Sequence, residues 1–420
     1  MRPLPEELAA WGSFDRDDPF PVYARAREQG AVHEVTLIDG HDAWLVVRHD
    51  AARAALNDPR LSKDLHAALA SGGDVVAEGL PGPEFARHML VVDPPDHTRL
   101  RRLVAAAFSV RRVEALQPAV QRIVDCLLDD IAAAGPEAVV DLVRAFAFPV
   151  PFTVICELLG VPEADRTPFG QALTVLLAPT TTPEEYARAK SASDHVVAQL
   201  KGLVAARQAE PDDALVSALI RARDGEARLN DQELLSSIFQ LIVAGHDTTA
   251  TLIGNSVVAL LQQPEQLAWL QANPEGLANA IEELLRYDAP VPHSTFRYAT
   301  EDIELGGVAI PAGAQVIISL AAVNRDPDQY TDPDALDLRR TDVRHLGFGH
   351  GIHFCLGAPL ARMEGVVALG SLLARFPGLR LAVAPEELHW NHGDGLVLRG
   401  LTSLPVVPGP DHGRPGASLR

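Results

Sequence analysis

The sequence predicts a mainly α-helical protein with a smaller β region that is assembled from distant parts of the chain. From about residue 98 to 285, apolar residues recur every three or four positions, as on the buried face of a helix. Residues 31–49 and 296–320 instead alternate apolar and polar side chains, which is typical of strands. Because strand-like segments lie towards both ends of the chain, we do not expect two consecutive domains.

We therefore expect a single domain over residues 1–420. The first two strands are joined by a turn at Asp39-Gly40, and breaks such as Gly135-Pro136 divide the helices. A polar segment rich in proline and glycine ends the chain, and we expect it to form a disordered tail. We place the β-rich part at about 31–50, 296–320 and 380–406, the α-rich part at about 51–295 and 358–376, and the tail at 409–420.

Composition and charge exclude several classes of protein. The chain has 420 residues, 47% of them hydrophobic, so it can bury a large core, while a formal net charge of −20 argues against nucleic-acid binding. No apolar run approaches the roughly 20 residues that span a bilayer, and the N-terminus lacks the apolar region of a signal peptide. Three cysteines are too few for a disulfide framework. We expect a soluble, cytoplasmic monomer without a membrane or nucleic-acid partner.

The most informative segment is the glycine-rich stretch L-G-F-G-H-G-I-H-F-C-L-G at residues 346–357, which contains Cys355. Its glycines permit backbone conformations that a Cβ would forbid. A thiolate that precedes an apolar helix is stabilised by the amides at the start of that helix. This arrangement suits a single protein thiolate that binds one iron, whereas zinc would need further ligands at the usual spacing. The alternative is a small buried hydrophobic cysteine in a glycine-rich turn.

A second group of polar residues lies in the middle of a predicted helix from about 230 to 262. Asn230 and Glu233 have the spacing of a capping box at its start. Within the helix, the hydroxyl of Thr248 can donate back to the carbonyl of Ala244, which distorts the helix locally and could seat dioxygen or water. Asp247 places a titratable group beside that hydroxyl, so the two residues have the parts of a proton relay. A polar patch satisfied by other side chains is the alternative.

Two further patterns are weak by themselves. Glu283 and Arg286 are three residues apart on one helix face, a spacing common on solvated surfaces. His97 and Arg101, four apart after Pro94-Pro95, also share a face, and arginine is well suited to binding carboxylates.

Taken together and in their order along the chain, from His97 to Cys355, these motifs resemble the soluble bacterial cytochrome P450 monooxygenases, and the resemblance extends over nearly the whole sequence. It implies a triangular, α-rich body with haem b between the long central helix and the cysteine loop, and Cys355 as the iron ligand. It also implies that Asp247 and Thr248 are the catalytic pair and that Glu283 and Arg286 are structural. The cofactor-binding residues that it implies are His97, Arg101, Ala244, Gly245, Thr248, Arg297, Phe348, Gly349, His353, Cys355, Gly357 and Ala361.

The resemblance further implies hydroxylation or epoxidation of a largely apolar small molecule, such as a polyketide, a macrolide, a steroid-like compound or another secondary metabolite. Oxygen is the co-substrate, and electrons come from NAD(P)H through a separate ferredoxin and ferredoxin reductase. The expected docking face for the ferredoxin carries Arg99, Arg102, Arg344 and Arg362. The expected substrate pocket is lined by parts of residues 62–92 and by Val243, Ala244, Val291, His293, Thr295 and Leu396.

Two other functions stay open on the sequence. One is a haem-thiolate peroxygenase or a non-oxygenating haem enzyme, although the intact Asp247–Thr248 pair argues against a peroxide route. The other is a non-catalytic haem sensor or carrier.

Overall fold

The computed structural model describes residues 15, 17–37, 40–64, 83–178, 180, 182–222, 227–391 and 398–414. Leu396 and most of the expected pocket segment between 62 and 92 therefore lie outside the described residues. The α-helices are α1 (Phe20–Gln29), α2 (His49–Asn57), α3 (Asp96–Ala107), α4 (Val110–Ala115), α5 (Gln117–Ala134), α6 (Pro149–Leu159), α7 (Glu163–Leu177), α8 (Pro183–Ala209), α9 (Leu215–Arg221), α10 (Asp231–Leu261), α11 (Pro264–Ala272), α12 (Leu277–Tyr287), α13 (Leu320–Val323) and α14 (Ala358–Arg375).

The strands are short and are concentrated near the two ends of the chain, as the sequence predicted. They are β1 (Val32–Thr36), β2 (Asp42–Val46), β3 (Leu61–Ser62), β4 (Val140–Asp141), β5 (Arg297–Ala299), β6 (Ile303–Leu305), β7 (Val308–Ile310), β8 (Gln315–Ile318), β9 (Arg380–Leu381), β10 (Trp390–Asn391), β11 (Gly400–Leu401) and β12 (Pro405–Val407).

The largest sheet has five strands in the order β1-β2-β8-β5-β3. Strands β1 and β2 form an antiparallel pair, whereas β8 pairs with β2 in parallel and with β5 in antiparallel orientation. The sheet thus combines strands from the first and the last third of the chain, which confirms the prediction that the β region is assembled from distant segments. A smaller sheet, β4-β12-β9, joins a strand from the helical part of the chain to the C-terminal strands.

Helix α10 is the central element of the helical core. Its start matches the prediction, because the Asn230 side chain accepts a hydrogen bond from the Glu233 amide at 2.9 Å and Glu233 accepts one from the Asn230 amide at 3.0 Å. Its 31 residues include buried side chains along most of its length. At 1.5 Å per residue the helix is about 46 Å long, enough to cross the molecule. None of the described helices is both long and apolar enough to cross a membrane.

The end of the chain differs from the prediction. Residues 409–414 are ordered against helix α5, and the expected tail is therefore wrong for this part. Arg375 donates to Asp411 at 2.9 Å and to Asp129 at 2.6 Å, and Arg414 also pairs with Asp129. These ion pairs between distant residues have no local signal, so a composition rich in proline and glycine was misleading. Residues 415–420 lie outside the described part of the chain.

Candidate active site

The cysteine loop lies directly before helix α14. The Cys355 amide donates to the carbonyl of Phe348 at 2.9 Å, and the Gly349 amide donates to that of Leu346 at 2.8 Å. Gly349 and Gly351 both have a backbone φ of +71°, a conformation that residues other than glycine rarely adopt. A Cβ at Gly351 would in addition lie 2.8 Å from the carbonyl oxygen of Leu56. Two glycines are therefore required by the path of the loop.

Cys355 differs from the other buried cysteine in its surroundings. Burial raises the pKa of its thiol, but the amides of Gly357 and Ala358 and the charges of Arg101 and Arg362 act in the opposite direction. The residue is nevertheless exposed, whereas Cys156 is enclosed and has its pKa raised by burial to about 12. The helix start and the two arginines favour its thiolate form.

Glu283 and Arg286 are fully buried, with none of either side chain exposed. Arg286 donates from Nε and Nη2 to the two carboxylate oxygens at 2.7 and 2.8 Å. It also donates to the carbonyls of Asn324, Pro333 and Ala335 at 2.6–3.0 Å, and these three residues belong to the irregular segment that precedes the cysteine loop. The pair is structural, as predicted, but it is a core element and not a solvated helix face.

Asn324 connects this pair to the cysteine loop. Its side chain is completely buried, and its Oδ1 accepts a hydrogen bond of 2.7 Å from the amide of Leu346. Its own carbonyl is one of the acceptors of Arg286. One residue therefore joins the buried ion pair to the first residue of the loop that contains Cys355.

The polar group on α10 has the geometry that the spacing predicted. The Thr248 hydroxyl donates to the carbonyl of Ala244 at 2.5 Å. Burial raises the pKa of Asp247 to about 6, so its carboxyl group is half-protonated slightly below neutral pH. Ala244 is exposed although it lies mid-way along a helix that is otherwise largely buried.

His246, between Gly245 and Asp247, was not assigned a role from the sequence. Its Nδ1 lies 3.1 Å from Oδ1 of Asp247, and its ring contacts the rings of Phe148 and Phe152 with centroid distances of 4.1 and 5.2 Å. Burial lowers the pKa of this imidazole to about 4, so it is neutral at pH 7. The two aromatic rings hold a neutral imidazole against the carboxyl group of Asp247.

Five basic side chains converge on one side of the cysteine loop, and we call Lys63, His97, Arg101, Arg297 and His353 the basic cluster. The rings of His97 and His353 are 4.3 Å apart, and Arg101 donates to the carbonyl of Phe354 at 2.6 Å. Burial, followed by the charges of Lys63, His97, Arg297 and Arg101, lowers the pKa of His353 to about 2. The members are close enough to disfavour one another's charged forms.

Comparison with known proteins decides the family. The sequence model described as Cytochrome P450 matches residues 36–277 and 275–388. The 6-deoxyerythronolide B hydroxylase of Saccharopolyspora erythraea is 45% identical over 396 residues, which cover 93% of this chain and 96% of that protein. The vitamin D(3) 25-hydroxylase of Pseudonocardia autotrophica is 43% identical over 394 residues, which cover 94% of each protein. The solved structure of the Bacillus subtilis bacillaene polyketide synthase cytochrome P450 PksS has a TM-score of 0.85 at 38% identity, covering 93% of this chain and 97% of that one.

The chain belongs to the cytochrome P450 family. It has the cytochrome P450 fold, and it is a monooxygenase that uses haem b, dioxygen and electrons from redox partners. When bound, the haem supplies the iron at which dioxygen is activated. Everything else in the reaction depends on how the chain's own residues hold that group, exclude water and deliver protons.

The hydrogen bonds and charges of the basic cluster show whether its residues fit the carboxylates of a haem. Neither ring nitrogen of the buried His97 makes a hydrogen bond of normal geometry. The buried Arg297 donates to the Thr295 carbonyl at 3.3 Å, and burial lowers its pKa to about 10, with Asp93 acting in the opposite direction. Buried cationic groups normally have anionic partners. A group with two carboxylates, such as haem, would supply them, so the residues present fit this cofactor.

One predicted pocket residue is bonded to helix α1 in this cytochrome P450. His293 is buried, with its Nε2 2.8 Å from the hydroxyl of Tyr23 and the two rings in an edge contact. That it lines the pocket stays a prediction. Its position in sequence suggested the pocket, but its partner lies on α1, 270 residues away. Val243 and Val291 are half-buried against the core, and Thr295 accepts a hydrogen bond from Lys63.

The expected docking arginines are mostly engaged with carboxylates. Arg99 donates to Glu233 at 2.5 Å and to Asp96 at 3.3 Å, so it fastens α3 to the start of α10, and its part in docking stays a prediction. Arg362 binds both oxygens of Glu282 at 2.6 and 2.8 Å. Arg344 pairs with Asp342 at 2.8 Å, and Arg102 is exposed. The sequence pattern separated the faces of α3 correctly, but it could not show which charges were neutralised by distant residues.

Lys63 is the member of the basic cluster that the sequence analysis missed. It is only 5% exposed, and it lies in the run R-L-S-K-D at residues 60–64, directly after strand β3. A lysine after a two-residue strand has no local sign of burial. Its proximity to Arg297 and His353 arises only when β3 pairs with β5.

Proposed function

We propose that this cytochrome P450 hydroxylates or epoxidises a bulky, largely apolar secondary metabolite of the polyketide, macrolide or steroid-like class, in the cytoplasm, with electrons from a ferredoxin. The relatives support this range, since one is named for a macrolide precursor and another for vitamin D(3). Both are between 43 and 45% identical to this chain, so the overall similarity does not choose between these substrates.

Cys355 is the proposed proximal ligand of the haem iron. The loop geometry supports this role, because Gly349 and Gly351 turn the chain so that the thiol ends at the start of α14. The amides and arginines around it favour the thiolate, which is the form that binds metal. His97, Arg101, Arg297 and His353 are the proposed partners of the haem carboxylates. Phe348, Gly349, Gly357 and Ala361 on the proximal side, and Ala244, Gly245 and Thr248 on α10, complete the proposed haem-binding set.

Asp247 and Thr248 are the proposed proton-delivery pair, and their geometry is the observation that carries the proposal of a monooxygenase reaction. The Thr248 hydroxyl is bonded to the Ala244 carbonyl, so it has an oxygen available as an acceptor. Asp247 has a pKa of about 6, so it can gain and release a proton near neutral pH. A haem enzyme that uses peroxide does not require such a pair.

A carbon monoxide difference spectrum tests the ligand assignment. The reduced wild-type protein should show the red-shifted Soret band of a thiolate-ligated haem, and Cys355→Ser should lose it. Cys126→Ser is the matched control, because Cys126 is also exposed but lies on α5. A serine variant of Cys355 that keeps the band would disprove the assignment.

The reaction type and substrate need a second measurement. Titration of the purified protein with a library of macrolides, polyketides and steroids should shift its Soret band for one class. Turnover of that compound should need NAD(P)H with a ferredoxin and its reductase. Equal product formation with peroxide alone would instead establish a peroxygenase.

A further inference from the structure

Lys63 is held in the molecule from two sides. Its backbone amide donates to Oδ1 of Asp93 at 3.0 Å, and the neighbouring Ser62 hydroxyl bonds to the other oxygen of the same carboxylate. Its ammonium group donates to the hydroxyl of Thr295, two residues before Arg297. The Asp93 carboxylate is thus used to fix the backbone at Lys63, and the side chain is directed away towards Thr295.

The charged state of Lys63 is incompletely balanced by the described residues. Burial lowers its pKa well below the ordinary value, the charge of Arg297 lowers it further, and only Asp93 acts to raise it. Among the described residues, the hydrogen-bond partner of its buried ammonium group is the uncharged Thr295 hydroxyl. A buried ammonium group in this position favours an anionic ligand.

The charges of the whole basic cluster indicate what that ligand is. Lys63, Arg101 and Arg297 are the members of the cluster whose side chains are ordinarily cationic, and the rings of His97 and His353 lie beside them with a centroid distance of 4.3 Å. Asp93 is the carboxylate that acts on Lys63 and Arg297. With its three ordinarily cationic side chains charged, the cluster has two more cations than carboxylates. Haem has two propionates. Without Lys63, the two arginines less the Asp93 carboxylate would leave one positive charge, enough for only one propionate.

We infer that Lys63 is a haem-propionate partner in addition to the four proposed above, and that Thr295 positions its ammonium group. This inference rests on the proposed haem site. It assigns to Lys63 the second of the two charges that a dianionic cofactor requires. It also explains why a lysine is buried beside an arginine and two histidines, since the cluster is balanced only when the cofactor is bound.

The test uses the haem-loaded protein and compares Lys63→Met, Lys63→Gln and Lys63→Arg with wild type. Haem loss is followed as transfer to excess apomyoglobin, and the midpoint potential of the iron is measured without substrate. Loss of one charged hydrogen bond should make haem transfer roughly tenfold faster in the Met and Gln variants. Their potential should fall, because removing a positive charge near the propionates favours the ferric state. Arginine should largely restore both values.

The matched control is Lys190→Met on α8, where the lysine is exposed and removal of one charge should change neither measurement. The carbon monoxide band of each variant reports separately whether Cys355 is the iron ligand. A Met or Gln variant that has this band but retains wild-type haem transfer and potential would overturn the role of Lys63 alone. Weaker binding of anionic substrates, without faster haem loss, would do so as well. Absence of the band from the wild type would instead disprove the proposed haem site.

Discussion

Asp247 and Thr248 are adjacent on α10, but their side chains are prepared for different tasks. The hydroxyl of Thr248 is fixed by its bond to the Ala244 carbonyl, whereas Asp247 lies beside the neutral ring of His246 and has its pKa raised by burial to about 6. A fixed hydroxyl can orient a hydrogen bond, and a carboxyl group with a pKa near 6 can exchange protons with solvent. Their loss should therefore have distinguishable effects.

Thr248→Ala should uncouple electron consumption from product formation, with NAD(P)H used and peroxide released. Asp247→Asn should instead slow turnover by roughly 10²–10⁴-fold, the rate enhancement that general acid–base catalysis contributes. Both are measured as the ratio of product to NAD(P)H consumed and as the turnover rate. Thr249→Ala is the control, since this neighbouring threonine is buried and should leave coupling intact.

Measuring the free energy of unfolding of Asp247→Asn checks that the variant is folded. The difference in this free energy between the variant and wild type should depend on pH in a defined direction. The pKa of Asp247 is higher in the folded protein than its ordinary value of 3.8, so ionisation destabilises the fold as pH rises through about 6. Asparagine cannot ionise. The variant should consequently be more stable than wild type above pH 6 and lose that advantage below pH 4. Wild-type turnover and coupling in both variants would refute the proton-delivery role.

At the scale of single residues, the sequence predicts a contact best when the two partners are close together in the chain. The Thr248–Ala244 bond joins residues four apart, a distance fixed by helix geometry, and it was expected. The burial of Lys63 and of His293 depends on Thr295 and Tyr23, which are more than 200 residues away in the chain. Residue type and spacing contain no information about those partners.

At the scale of elements, the ion pair of helix α12 shows how burial changes the meaning of a common motif. Glu283 and Arg286 would contribute little on a solvated face. Buried, the pair binds three carbonyls of the segment before the cysteine loop, and through Asn324 it holds Leu346. The start of α10 was predictable because its capping box is local, but the role of α12 was not, because its acceptors lie on another segment.

Replacing Arg286 should therefore cost both stability and cofactor. Arg286→Lys keeps the charge but removes the planar fork that serves Glu283 and the carbonyls together. Lysine cannot donate to the carboxylate and to all three carbonyls at once, and each buried acceptor left without a donor costs about 1–3 kcal/mol. We expect a marked fall in thermal stability and in haem content per chain, measured by unfolding and by absorbance.

The control for this prediction is Arg339→Lys in the same segment, where the arginine is 59% exposed and lies 3.9 Å from Asp337. An exposed pair of this kind contributes at most about 1 kcal/mol. Wild-type haem content and unfolding temperature in Arg286→Lys would show that the pair does not organise the loop.

For the molecule as a whole, the distribution of charge matters more than its total of −20. Arg99 and Arg362 are held by Glu233 and Glu282, so their charges are largely neutralised. Arg102 on α3 is exposed, and we predict that it contacts an acidic ferredoxin. The cysteine loop also exposes two apolar side chains, Ile352 and Phe354.

Arg102→Glu should therefore slow reduction by ferredoxin at low ionic strength and have little effect at high salt, because steering between charged surfaces is screened. Stopped-flow reduction at two salt concentrations measures this. Arg99→Glu should chiefly destabilise α3 against α10, since it opposes Glu233. The same reversal at the exposed Arg188 on α8 serves as the control. Unchanged low-salt kinetics in Arg102→Glu would place the docking face elsewhere.

The position of β8 between β2 and β5 has a consequence for how the protein is made. On the ribosome, β1 and β2 emerge early, but the strand that pairs with β2 in parallel follows roughly 270 residues later, which at about 5–20 residues per second is on the order of tens of seconds. Throughout that time β2 is paired with β1 on one side only, and the edge that β8 will occupy has no partner strand. The nascent hairpin must wait while nearly the entire helical body is synthesised, so translation speed and holding chaperones should govern the yield of active protein.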